Sequence, residues 1–182
     1  PAFEAGDKVQ AIRAVRNDGT YPGSAIGQFL IQSGDVGYVK SVGTYLNRSG
    51  FTDVLVVSGQ LPEAVTQMAR QGLENNRIHT GPWVEVDDNS FENVVELFAL
   101  LPKKTMAIVG LGGGKALDMA KYLAFLARLP YLAVPTSLSN DGFCSPQSSL
   151  TMHGKRRSLA ATLPQGVIID VDVCLSAPRA LW

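Results

Sequence analysis

Apolar and polar positions change rhythm along this chain at about residue 51. From there on, short apolar runs alternate with segments of helical spacing. Val54 to Val57, Trp83 to Val86, Met106 to Val109, Tyr131 to Val134 and Val167 to Asp170 read as five strands. Leu61 to Glu74 carries Leu61, Val65, Met68, Ala69 and Leu73 on one side and closes near Asn75-Asn76. Phe91 to Leu101 turns Phe91, Val94, Val95 and Phe98 inward, after N-cap candidates between Asp87 and Ser90. A further helix spans Lys115 to Arg128. Continuous apolar strands separated by helices predict an α/β class, a parallel Rossmann-like sheet with helices on both faces. Ser148 to Leu163 interrupts that rhythm and predicts a β-hairpin turning near His153-Gly154.

Residues 1 to about 27 have another texture. Lys8 to Arg16 alternates like a short strand, and Asn17 to Gly23 is dense in turn residues. Phe29-Leu30-Ile31 and Val36 to Val39 read as further strands of a small β module. Residues 36 to 50 support two readings. Val36, Val39, Val42 and Tyr45/Leu46 follow helical spacing, with Asn47 to Gly50 as its end. The same letters also read as strand, turn and strand. The span from Phe3 to Leu46, above all Val15-Arg16-Asn17-Asp18-Gly19-Thr20, resembles the NifZ family of nitrogen-fixation accessory proteins. That resemblance implies an SH3-like β segment assisting maturation of the nitrogenase molybdenum–iron protein. It divides the chain into residues 1–46, a NifZ-like β segment, and 47–182, a nucleotide-binding domain. Arg13, Arg16, Asp18 and Lys40 read as solvated surface or as a binding face.

Composition narrows the function classes. An apolar fraction of 46% supports a sizeable core, and sixteen basic residues balance sixteen acidic ones. That balance gives no electrostatic case for nucleic acid or a membrane surface. No apolar run reaches the roughly 18 residues of a spanning helix, and no signal-peptide pattern opens the chain. Cys144 and Cys174 are too few for a disulfide framework, so a cytoplasmic location is expected.

The chemistry concentrates in Met106 to Lys121, MAIVGLGGGKALDMAK. An apolar strand stops at Gly110, and Gly112-Gly113-Gly114 lead into Lys115, Ala116 and a helix. Such a turn offers backbone N–H groups and the positive end of a helix dipole to an anion. This predicts a dinucleotide pyrophosphate site; the plain alternative is a strand-to-helix turn that needs glycine. Ala116, Ala120, Ala124 and Ala127 form a small-residue face that lets the helix lie close to the sheet. Asp118 joins the cofactor-binding set, or forms an ordinary surface pair with Lys121 three positions on. Lys115 reads as a ligand contact or an exposed first-turn lysine.

A second dense stretch, Pro135 to Pro146, directly follows the fourth strand. It offers the hydroxyls of Thr136, Ser137, Ser139 and Ser145, an amide, and the single carboxylate of Asp141. Ligands in open parallel sheets bind beyond the carboxyl ends of the strands. GLGGGKALDMAKYLA, VPTSLSNDGFCSPQSSL and LPQGVIIDVDVCLSAPRAL together resemble the sn-glycerol-1-phosphate dehydrogenase family. That family belongs to the iron- and zinc-dependent polyol dehydrogenases, built like dehydroquinate synthase. The resemblance implies hydride transfer between NAD or NADP and a phosphorylated polyol, at a metal ion. It implies that Gly112, Gly113, Gly114, Lys115 and Ala116 hold the pyrophosphate, and that Thr136, Ser137, Ser139, Ser145 and Thr151 face the cofactor. Asp141 would bind substrate.

The family's metal ligands, one Asp and two His, lie in a helical domain after the nucleotide-binding half, whereas this sequence ends at Trp182. His79 and His153 read as surface or turn residues, and Asp170 and Asp172 as capping residues. No catalytic residue and no metal ligand is therefore assigned. The expectation is a chain that binds a cofactor and does not complete the hydride step alone. The competing expectations are an interaction protein acting through the NifZ-like segment, and a fragment or chimera. Ser58-Gly59 stands where an acid would favour NAD, so NAD and NADP both stay open. Lys155-Arg156-Arg157 reads as a solvated hairpin tip or as a phosphate contact. Apolar surface left by an absent domain would favour self-association.

Overall fold

The computed structural model describes residues 15–16, 29–31, 41–137 and 142–177. Most of the NifZ-like segment lies outside them. Within it, β1 (Val15–Arg16) and β2 (Phe29–Ile31) pair antiparallel.

The α/β rhythm takes form as five parallel strands. These are β3 (Asp53–Ser58), β4 (His79–Glu85), β5 (Ala107–Gly112), β6 (Tyr131–Pro135) and β9 (Gly166–Val167). Their spatial order is β4-β3-β5-β6-β9. Between them run α2 (Glu63–Asn75), α3 (Phe91–Ala99) and α4 (Gly114–Ala127), and α5 (Val171–Leu175) follows β9. The fifth strand is shorter than its apolar letters suggest. Asp170 leaves the sheet to cap α5, its carboxylate accepting the Val173 amide at 3.3 Å.

Alternation within β3 divides the core. Val54 and Val56 face one side with Val65, Leu73, Val109 and Leu132. Leu55 and Val57 face the other with Ile108, Leu117, Leu123 and Leu150. Each such side chain, buried below a few per cent exposure, is worth on the order of 1.5–3 kcal/mol relative to leaving it in water. Residues 36–50 resolve towards helix where they are described. Val42–Arg48 forms α1, whose Val42 and Leu46 are buried in the first of these clusters. The boundary assigned at 46/47 thus runs through a helix of the α/β core.

The predicted hairpin is β7 (Gln147–Met152) with β8 (Lys155–Ala160). His153 and Gly154 turn it, at φ 48° and 73°, the left-handed pair that matches the twist of a tight hairpin. β7 lies against α4 and α3, while β8, with Lys155, Arg156 and Arg157, is largely exposed. Among the described residues, no helix is long and apolar enough to cross a membrane.

Candidate nucleotide-binding site

The chain runs from β3 outwards to β4 and returns to β5 on the opposite side of β3. That reversal opens a crevice at the carboxyl ends of β3 and β5. Two glycines meet there. Gly112 ends β5 at φ 141°, and a Cβ on it would stand 3.0 Å from the Gly59 amide nitrogen. Only glycine combines that dihedral with so close an approach. Backbone bonds lock the strand ends together: Gly59 N–H to Leu111 O at 3.1 Å, Val86 N–H to Ser58 O at 2.8 Å, and Thr136 N–H to Gly112 O at 3.1 Å.

α4 starts in this crevice with Gly113 as its N-cap. The first-turn amides of a helix have no partner within it and suit an anion. The helix can sit so deep because its inner face is small. Ala116, Ala120 and Ala124 are buried, and a Cβ on Gly110 would come within 2.8 Å of Ala120 Cβ. Gly113 differs: a Cβ there would meet nothing within 4 Å. It faces a cavity of about 500 Å³, lined by Gly113 to Ala116, Thr136, Ser137, the Gly59 to Pro62 turn, Val65, Val86, Asp87, Val173 of α5, and Ser176 and Ala177 just after it. The volume, the open space over Gly113 and the helix N-terminus together fit part of a dinucleotide.

The structure brings Gly113, Gly114, Lys115, Ala116, Thr136 and Ser137 together at this cavity, with Gly112 beneath them. Lys115 Nζ donates to the Asp87 carbonyl across the mouth at 3.0 Å. Ser139 and Asp141 lie outside the described residues. Ser145 does not line the cavity; its hydroxyl donates to the Gln147 carbonyl at 3.3 Å. Thr151 fastens the hairpin to the loop before α3, its amide donating to Asn89 O at 3.0 Å and its hydroxyl to Asn89 Oδ1 at 3.3 Å. Asp118 and Lys121 are not a surface pair: both are buried, with 3.7 Å between carboxylate and ammonium. Burial raises the Asp118 carboxyl above the ordinary range, with the Lys121 charge opposing that shift.

Sequence reasoning missed Gln60, Asp87 and the α5 wall. The strand-end rule could have found Gln60 and Asp87, since each follows a strand. Nothing local marks Val173, Ser176 or Ala177; only the fold carries them to the crevice. Ser58 is buried at the end of β3, and its hydroxyl accepts the Trp83 indole N–H at 2.8 Å. Arg70 lies 4.3 Å over the same indole. His153 sits in the hairpin turn, 3.9 Å from Glu92, and His79 is exposed. Among the described residues, no three His, Cys, Asp or Glu side chains converge as metal ligands.

The family model for iron-containing alcohol dehydrogenase matches residues 34–178. The chain belongs to that family. A second model, the NifZ domain, matches residues 1–59. The glycerol-1-phosphate dehydrogenase [NAD(P)+] of Metallosphaera sedula is 39% identical over 133 residues, 70% of this chain and 36% of that protein. The enzyme of the same description from Aeropyrum pernix is 38% identical over 128 residues, 69% of this chain and 36% of its own length. The chain thus spans about a third of the length of these relatives. Among solved structures, an iron-containing alcohol dehydrogenase from Thermotoga maritima superposes with a TM-score of 0.71 at 24% identity, over 81% of this chain and 48% of that one. Maleylacetate reductase from Agrobacterium tumefaciens gives 0.68 at 20% identity, over 81% and 42%. At that identity these structures bear on the fold alone. The two family models overlap at 34–59, where α1 and β3 pack into the parallel-sheet core.

Proposed function

We propose that this chain is the dinucleotide-binding part of an NAD(P)-dependent polyol-phosphate dehydrogenase, with a glycerol-1-phosphate-like substrate. The observation that carries this is the Gly112–Ala116 turn, which opens an anion-suited helix end onto the cavity at the β3/β5 reversal. The pyrophosphate lies along the amides of Gly113 to Ala116, and the Thr136 and Ser137 hydroxyls face the same space. Ser139 and Asp141 follow in that loop, with Asp141 orienting a substrate hydroxyl. Ser145, Thr151 and Asp118 act from behind, by holding the loop and the hairpin. The cofactor supplies the hydride; these residues bind and orient it. In the full-length family a zinc or iron ion supplies Lewis acidity, and no residue described here is assigned to it.

Neither nicotinamide cofactor is excluded. No acidic side chain stands at Ser58, Gly59 or Gln60, so these positions do not repel a 2′-phosphate, although Asp87 lines the same cavity. The absence of a disulfide framework supports a cytoplasmic setting. The α/β unit begins ahead of α1, so the seam with the NifZ-like segment lies before residue 42. Calorimetric titration with NADH and NADPH tests the dinucleotide site on which the reading rests. Saturable binding at micromolar to sub-millimolar concentration is expected, and absence of binding of both up to several millimolar overturns it.

The NifZ-domain match to residues 1–59 favours a second reading, in which this segment docks an accessory partner. A pull-down with nitrogenase components, with and without residues 1–40, separates the two. Capture that depends on the segment, with no dinucleotide binding, would make docking the main function.

A further inference from the structure

Lys121 carries a fully buried ammonium that does not line the cavity. It sits on α4 two turns past the glycine turn, with no exposed surface. A buried ammonium is costly unless paired and hydrogen-bonded. The partners among the described residues belong to the segment entering the hairpin and to α4 itself. Nζ donates to the Gly142 carbonyl, and to the Gln147 carbonyl at 2.8 Å, with the Asp118 carboxylate 3.7 Å away. Asp118 in turn accepts the Ser149 amide. The pair therefore grips the backbone of the segment entering the hairpin at residues 142, 147 and 149, whatever side chains that segment carries.

The loop so gripped is the one that starts at the cavity. Its near end is tied by Thr136 N–H to Gly112 O at 3.1 Å, and Thr136 and Ser137 line the cavity. Its far end is tied by Lys121. We propose that Lys121 is a positioning residue: its ammonium clamps the Gly142 and Gln147 carbonyls onto the nucleotide-binding helix, so that the chain leaving the cavity at Thr136 and Ser137 is held again at residue 142, and cofactor affinity depends on that hold. This rests on the dinucleotide reading above, but the clamp itself can be tested without it.

The experiment compares the full chain with Lys121→Met, Lys121→Arg and the double variant Lys121→Met/Asp118→Leu, which leaves neither charge unpaired. Amide hydrogen exchange is followed across residues 142–149 and, as control, across β3 and β5. NADH affinity is measured in parallel. Exchange at 142–149 is expected to quicken at least tenfold in Lys121→Met and in the double variant, with β3 and β5 unchanged. NADH dissociation constants should rise about tenfold in both, and Lys121→Arg should recover part of each effect. The double variant separates the roles. A merely structural lysine would let paired removal restore exchange and affinity along with thermal stability, whereas a clamp leaves both impaired. Should Lys121→Met fail to fold, the double variant carries the same comparison. Unchanged exchange at 142–149, or wild-type affinity in the double variant, overturns the proposal. If the wild-type chain binds no NADH, the dinucleotide reading fails, and the exchange data still decide the clamp.

Discussion

Gly110, Gly112 and Gly113 look alike as letters and do different work. Gly110 exists for close packing of α4 on β5, whereas Gly113 faces open space. Gly113→Val should therefore cost only about 1 kcal/mol of stability, as a poorer N-cap, while filling the space a pyrophosphate needs. NADH affinity should fall at least a hundredfold, about 2.8 kcal/mol. Gly110→Ala should do the reverse, destabilising the fold by about 1–3 kcal/mol through overpacking against Ala120. Calorimetric titration and urea unfolding of both variants check the contrast, and equal effects would mean the two glycines are not distinguished in this way. The cysteines also divide by burial. Cys144 is exposed; Cys174 is buried against the Pro135 carbonyl. Burial, with the Asp170 charge added, pushes the Cys174 thiol from near 9 to about 11. A thiol reagent at pH 8 should label Cys144 within minutes and Cys174 only on unfolding. The folded state keeps the Cys174 proton between pH 9 and 11 while the unfolded chain loses it. Stability is therefore expected to fall as pH rises through that window, and a Cys174→Ala variant should lack this part of the fall.

At the scale of elements, α1 decides where the α/β unit begins. Its Leu46 is fully buried, and it crosses α2 so closely that a Cβ on Gly43 would stand 2.0 Å from the Gly72 carbonyl oxygen. Leu46→Ala should cost about 2–5 kcal/mol. A chain starting at residue 47 should melt more than about 10 °C below one starting at residue 41, because Val42 and Leu46 leave the core together. Equal melting temperatures would return α1 to the N-terminal segment. The five strands and their helices were legible because buried parallel strands read as unbroken apolar runs. The ends were less legible. β9 stops early because Asp170 turns to capping, and β4 begins before its apolar letters do.

Across the whole molecule, apolar side chains remain in water where α3 and α4 face outwards. Val95, Phe98, Leu100 and Phe125 are each more than two-fifths exposed, and Leu100 reaches 79%. Tyr122 lies against Phe91 and Phe125 across the two helices in tilted ring contacts, with centroids 5.9 and 5.8 Å apart. Exposed apolar surface of this kind drives association. Light scattering is expected to give a mass above 19.5 kDa at tens of micromolar, and Phe98→Ser with Leu100→Ser should lower it. A monomer at all concentrations would count against the self-association proposed from these side chains.

The sequence by itself determined the α/β class, the hairpin with its turn at His153-Gly154, and the glycine turn between a strand and a helix, because each rests on local periodicity or on a residue type that a backbone conformation demands. The tertiary structure decided the remainder. It turned Asp118 and Lys121 from a surface pair into a buried one, tied Thr151 to Asn89, and brought α5 to the cavity wall. Those outcomes depend on which elements come to lie over a residue, and burial by a segment distant along the chain leaves no trace in the spacing of its neighbours.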